Sequence, residues 1–90
     1  MFEFDLSDLL KLKIKKLVRK DKQKVIAINK KIKEIINTSS SAIEHYKNLR
    51  YDLSDLKRVH IMDNFVLTFK VDTQNSFILF VDFDHHNNIY

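Results

Sequence analysis

Residues 82–90 read Asp-Phe-Asp-His-His-Asn-Asn-Ile-Tyr, two adjacent histidines flanked by aspartates with an aromatic at the last position. An unanchored tail would carry Lys, Glu and Ser instead, because aromatic surface left in water is unfavourable. The segment therefore reads as part of a site or of an interface. Imidazole is the side chain best suited to both give and take a proton near neutral pH. A third histidine, His60, stands two residues after Arg58 in an alternating stretch, and that spacing places both on one face of a strand. Histidines with an arginine offer proton transfer beside a fixed positive charge. Plainer readings stand beside this one. A strand histidine is as readily a surface residue with one hydrogen bond, and Tyr90 as readily a packing residue with a wet hydroxyl. A metal reading of Asp82, Asp84, His85 and His86 has no ligand spacing behind it.

The elements that must position these residues follow from periodicity. Phe2–Leu6 alternates as a short strand. Ser7 offers a helix N-cap with Asp8 in the first turn, and Leu10, Ile14, Leu17 and Val18 mark a helix over 8–19. Asp21 caps a second over 22–37, striped by Val25, Ile28, Ile32, Ile35 and Ile36. The two should form an antiparallel hairpin. Residues 42–54 give a helical turn around Ala42–Tyr46 and then irregular chain. Leu56–Ile61, Phe65–Val71 and Phe77–Phe83 read as three strands of an antiparallel meander with turns at 62–64 and 72–76. The expected class is α+β, in the order β-α-α-β-β-β, with the helices on one face of an antiparallel sheet, as a single domain over 1–90. Val59, Ile61, Phe65, Leu67, Phe69 and Val71 should face the helices, leaving Arg58, His60, Val66, Thr68 and Lys70 on the open face. On the last strand, Leu79 and Val81 are expected in the core with Phe69 and Val71, packed against Ile14, Leu17, Ile28 and Ile32.

The 90 residues contain neither Gly nor Pro, so positive φ must be taken by tolerant side chains, with Asp63-Asn64 and Asn75-Ser76 the natural sites. No Cys is present, which excludes disulfide and thiolate chemistry. No apolar run reaches the roughly 20 residues of a membrane span, and a signal peptide would need bases where the N-terminus has acids. A cytoplasmic protein is expected. The net charge of +4 is uneven: residues 1–58 hold 15 of the 16 bases and 8 of the 12 acids. A basic face suggests a polyanionic or acidic partner, although lysine runs are more commonly a solvated helix surface.

Three segments in order carry a resemblance. "DLSDLKRVHI", "NFVLTFKVD" and "FILFVDFDHHNNIY" are similar to the meander strands and C-terminal segment of the RelE/ParE superfamily of toxin–antitoxin toxins, RelE-like branch. That resemblance implies the RelE-like fold and no metal or other cofactor. It implies a ribosome-dependent endoribonuclease that cuts mRNA and inhibits translation, held silent by a RelB-like antitoxin in a heterotetramer, with ribosome and mRNA as further partners and no membrane. The ParE-like alternative is a DNA gyrase inhibitor, and a third is a RelE-like binding module without catalysis. Position by position, Arg58 and His60 match the two basic residues of the first meander strand, His85 and His86 the family's His-Arg, and Tyr90 its terminal Tyr. Val66 and His86 stand where the family carries arginines.

RNA cleavage by its own 2′-OH needs a base, an acid and cations around the phosphate. On that reading His60 is the general base, His86 the general acid, Arg58 the phosphate clamp and Tyr90 the base-stacking platform. Lys57, His85 and Arg50 are further substrate contacts. Asp82 and Asp84 are expected to favour the charged form of a neighbouring histidine.

Overall fold

The computed structural model describes residues 1–49 and 55–88. Strand β1 (Glu3–Leu6) leads into helices α1 (Asp8–Lys20) and α2 (Lys22–Ile36); a 3₁₀ turn (Ala42–His45) and the two-residue strand β2 (Lys47–Asn48) follow. Strands β3 (Lys57–Ile61), β4 (Phe65–Asp72) and β5 (Phe77–His85) then form the meander, and a second 3₁₀ turn spans His86–Asn88.

Side-chain caps explain the helix boundaries. Ser7 Oγ accepts from the Leu10 amide at 3.0 Å and donates to the Val81 carbonyl, fixing the start of α1 to β5. Asp21 alone separates the helices: its amide donates to the Leu17 carbonyl at 2.7 Å while its carboxylate accepts from the Lys24 amide at 3.3 Å. At the far end of α2, Asn37 Nδ2 and Thr38 Oγ1 donate to the Lys33 and Glu34 carbonyls.

The sheet order is β1-β5-β4-β3-β2. It is mixed, not wholly antiparallel: β1 lies parallel to β5, with Glu3 opposite Phe77 and Leu6 opposite Phe80. The intervening helices supply the crossover that a parallel pair requires. Strand β2, too short to show a period, adds an outer edge by pairing Lys47 with Arg58 and Asn48 with Lys57.

Both helices cover one face. Leu10, Ile28, Ile32, Ile35 and Ile36 close on Ile61, Leu67, Phe69, Ile78, Phe80 and Phe83, with Ile14, Leu17 and Val71 partly buried against them. The β5 residues in this core are not those expected. A bulge at Thr68/Phe69 sets Thr68 opposite Asp82 but Phe69 opposite Phe80, so Val81 is the extra residue. Ile78 and Phe80 face the helices before it and Phe83 after it, leaving Leu79 and Val81 only half-buried. Phe77–Val81 is apolar on every residue, so alternation gave no parity to read. The turns differ similarly. Ser76 takes positive φ (49°), but in the β3–β4 hairpin Met62 does so (φ 57°) in place of Asp63 or Asn64.

Candidate functional site

Strand β3 carries Arg58 and His60 on the face away from the helices, opposite Thr68 and Val66 of β4. Although on that open face, Val66 and Thr68 are 1% and 2% exposed, closed over by their neighbours. Beyond Phe80, β5 has lost its β1 partner and runs on as a free edge, setting Asp84 opposite Val66 and His85 opposite Phe65.

The two adjacent histidines part here. His85 goes to the helix side, where its ring meets Phe65 edge-on at 5.6 Å, and Phe65 stacks on Phe83 at 5.2 Å. Its Nδ1 accepts from the Asn87 amide at 3.3 Å. His86 leaves the strand, donates its amide to the Asn64 carbonyl at 2.9 Å, and brings its ring to 6.5 Å from that of His60 between centroids. Of the pair, His86 is the one beside His60. Arg58 and His60 thus share a face, His86 lies beside His60, and the His85 ring is 5.3 Å behind that of His86.

Lys57 is not brought to them. Its neighbour in register is Phe69, so it points to the helix side; it is 7% exposed, and its amine donates to the Tyr46 carbonyl at 3.2 Å and Asn48 Oδ1 at 3.0 Å, with Glu44 at 3.7 Å. Buried with its hydrogens committed, this ammonium holds the Tyr46–Asn48 segment to β3. Arg50 and Tyr90 lie outside the described residues. His45 and Lys47, which periodicity did not single out, join Arg58 and His60 around a cavity of about 260 Å³ beside β3. Only the pairing of β2 with β3 places them there, and two residues give no pattern to find.

Lys13 was also hidden, within a lysine run. From α1 it reaches around the free edge of β5 to Asp82 Oδ1 (2.7 Å), Asp84 Oδ2 (3.3 Å) and the Phe83 carbonyl (3.3 Å). Burial disfavours its charge, but the hydrogen bonds and charges of Asp82 and Asp84 prevail and hold its pKa above the ordinary lysine value. Burial likewise raises Asp84, yet hydrogen bonds from the Asn88 side chain and the His85 amide, followed by Lys13, bring its pKa below the usual carboxylate value. Among the described residues, the hydrogen bonds of these aspartates run to Lys13, Asn88 and backbone amides and not to an imidazole nitrogen. They bind the tail to α1. Asp84 accepts from Asn88 Nδ2 at 3.2 Å and from the His85 amide at 2.7 Å, so it folds the 3₁₀ turn on which His86 sits. Among the described residues, no group of three or more His, Asp or Glu side chains is arranged to hold a metal ion.

These elements have relatives. The chain is 49% identical over 90 residues, all of its length and 92% of the other's, to a protein of Methanocaldococcus jannaschii named "Putative toxin RelE4". It belongs to the RelE toxin family. An uncharacterized protein of Methanosarcina mazei is 36% identical over the whole of both chains. Two solution structures from Helicobacter pylori, of the conserved hypothetical proteins HP0894 and HP0892, share the RelE-like fold of this chain. Their TM-scores are 0.64 and 0.58 at 12% and 21% identity, over 97% of each chain. No protein-family model matches the chain.

Proposed function

We propose that this RelE-family toxin is a ribosome-dependent endoribonuclease acting on mRNA in the cytoplasm, silenced by a RelB-like antitoxin with which it forms a heterotetramer. The observation that carries the reading is the approach of His60 and His86 to 6.5 Å on the face that also holds Arg58. Two imidazoles at that separation leave room for one phosphodiester between them. His60 removes the proton from the 2′-OH as the O2′–P bond forms. His86 gives a proton to the 5′-oxygen as the P–O5′ bond breaks, leaving a cyclic phosphate and a free 5′-hydroxyl. Arg58 offsets the charge that accumulates on the phosphate oxygens. Tyr90 stacks on a base, while His85 and Arg50 contact the flanking strand. No helix among the described residues is long and apolar enough to cross a membrane.

A second reading has its own observation. Val66, where the family carries an arginine, is 1% exposed, so that position supplies no cation to the phosphate; a RelE-like module that binds without cutting fits this. Single-turnover cleavage of mRNA on programmed ribosomes across the neutral pH range decides. The catalytic reading expects a bell-shaped rate profile that loses one limb and becomes one-sided when His60→Gln or His86→Gln removes one imidazole. Parental rates in both variants and in the double variant overturn the assignment. Growth arrest with DNA damage and intact mRNA moves it to gyrase inhibition.

A further inference from the structure

The two facing imidazoles have no fixed role. Both His60 and His86 are exposed. Among the described residues, the side-chain hydrogen bonds of Asp82, Asp84 and His85 all go elsewhere, and neither the His60 nor the His86 ring has a partner. A histidine whose second nitrogen is held by a carboxylate is committed to one tautomer and one direction of proton transfer. His60 and His86 are not so held, and each can give or take a proton.

The proton count after RNA cleavage makes that freedom useful. Cleavage as proposed leaves His60 protonated, His86 neutral and the upstream fragment ending in a 2′,3′-cyclic phosphate. Departure of the 5′-hydroxyl fragment vacates the position beside His86, which is open to water. Arg58 still faces the phosphate, and Lys47, directly opposite Arg58 in register, puts a second cation on that face. We propose that the same site then hydrolyses the cyclic phosphate, so that its final product is a 3′-phosphate. His86 takes a proton from water as the water oxygen bonds to phosphorus. His60 returns its proton to O2′ as the O2′–P bond breaks. The step consumes one water and restores neutral His60 and protonated His86, the state from which cleavage began. This rests on the endoribonuclease reading and gives the site a second substrate class, the 2′,3′-cyclic phosphodiester.

Other groups do not fit the part of the base. The His85 ring lies against Phe65 on the helix side, and its Nδ1 is taken by the Asn87 amide. Lys57 is buried, with its ammonium given to Tyr46 and Asn48. A guanidinium at position 86 would supply charge but no base, since it stays protonated. The gap of 6.5 Å between ring centroids that takes a phosphodiester also takes a cyclic phosphate, which lacks the downstream nucleoside.

The test follows the ends of the RNA. In single-turnover cleavage on programmed ribosomes, run in water labelled with heavy oxygen, the upstream fragment should end first in a cyclic phosphate. It should then end in a 3′-phosphate carrying one heavy oxygen. A trinucleotide ending in a 2′,3′-cyclic phosphate, supplied to the purified full chain, should give the 3′-phosphate alone, because His60 stands on the O2′ side. His60→Gln and His86→Gln should each slow that hydrolysis at least about a hundredfold at an unchanged folding midpoint, and His86→Arg should leave the cyclic end intact. A fragment that stays cyclic after cleavage, or equal hydrolysis by His86→Arg, would overturn the inference and leave the cleavage reading in place. A mixture of 2′- and 3′-phosphates would overturn it too, since the proton would not come from one fixed side. If no mRNA is cleaved, the supplied trinucleotide still decides. Hydrolysis that needs both histidines supports the inference and removes only mRNA as the first substrate; a cyclic end that persists overturns it.

Discussion

The two halves of β5 do opposite work. From Phe77 to Phe80 the strand lies between β1 and β4, is apolar at every residue, and places Ile78 and Phe80 at 0% exposure in the core. After the bulge it has a neighbour on one side only, carries Asp82, Asp84 and His85, and is held by a single lysine from α1. The first half is stabilised by burial and needs no particular partner; the second buries Phe83 alone in the core and otherwise depends on specific polar contacts. The half that must be tied down leads directly into the turn that carries His86, so substitutions should divide the same way.

The largest effect belongs to the buried half. Phe80→Ala removes a ring packed between Phe4 and Phe69 and should cost about 3–5 kcal/mol in chemical denaturation, a large part of the stability of so small a domain. Beside the polar half, His60→Gln or His86→Gln should leave the midpoint unchanged but lower single-turnover cleavage by roughly a hundred- to ten-thousandfold. A midpoint shift as large as that of Phe80→Ala would make those histidines structural and erase the contrast.

Lys13→Met sharpens it. Losing the ammonium should cost only about 1 kcal/mol globally, because the pair is partly wet, yet it should remove the nuclear Overhauser contacts between the His60 and His86 rings. Lys13→Arg should restore them. A pH titration probes the same clamp. The Asp84 pKa is depressed in the folded state, so its contribution is fully present above the unfolded aspartate value, about 3.9, and is lost as pH falls through the lower folded value. Lys13 is raised, so its contribution holds below the unfolded lysine value and is lost as pH rises through the higher folded one. Amide exchange of His86–Asn88 should therefore speed up at both extremes before the core opens. The smallest effect is Leu79→Ala, expected below about 1.5 kcal/mol because that side chain is only half-buried. A cost matching Phe80→Ala would contradict the bulge.

The same division governs what could be read from the chain. The helices were legible because their stripes recur with Ser7 and Asp21 at the caps, and the meander because period two is clear in β3 and β4. Strand β1 was legible as an element but not as the parallel neighbour of β5, since that pairing belongs to the crossover and not to any local pattern. The faces of β5 were not legible: an apolar run has no parity, and a bulge leaves no mark in composition. In the site, alternation put Arg58 and His60 on one face, and adjacency made it clear that His85 and His86 must diverge, but not which went where. That was set by the Asn64 carbonyl and the Asp84–Asn88 contact, neither of which has a sequence signature. Lys57 was misplaced for a related reason, as a buried lysine looks like any other until its acceptors are known.

The pairing of β1 with β5 also orders events in time. Synthesis proceeds from the N-terminus at roughly 5–20 residues per second, so the first strand made waits, unpaired, for the last. The helical hairpin can form early from local contacts, but the sheet cannot close until residues 77–80 are available to Glu3–Leu6, and such non-local pairing is slow. His86 lies later still in the chain than the strand that completes the sheet, so its arrangement with His60 forms only after that strand has been synthesised. A partial chain still being translated carries His60 without its counterpart.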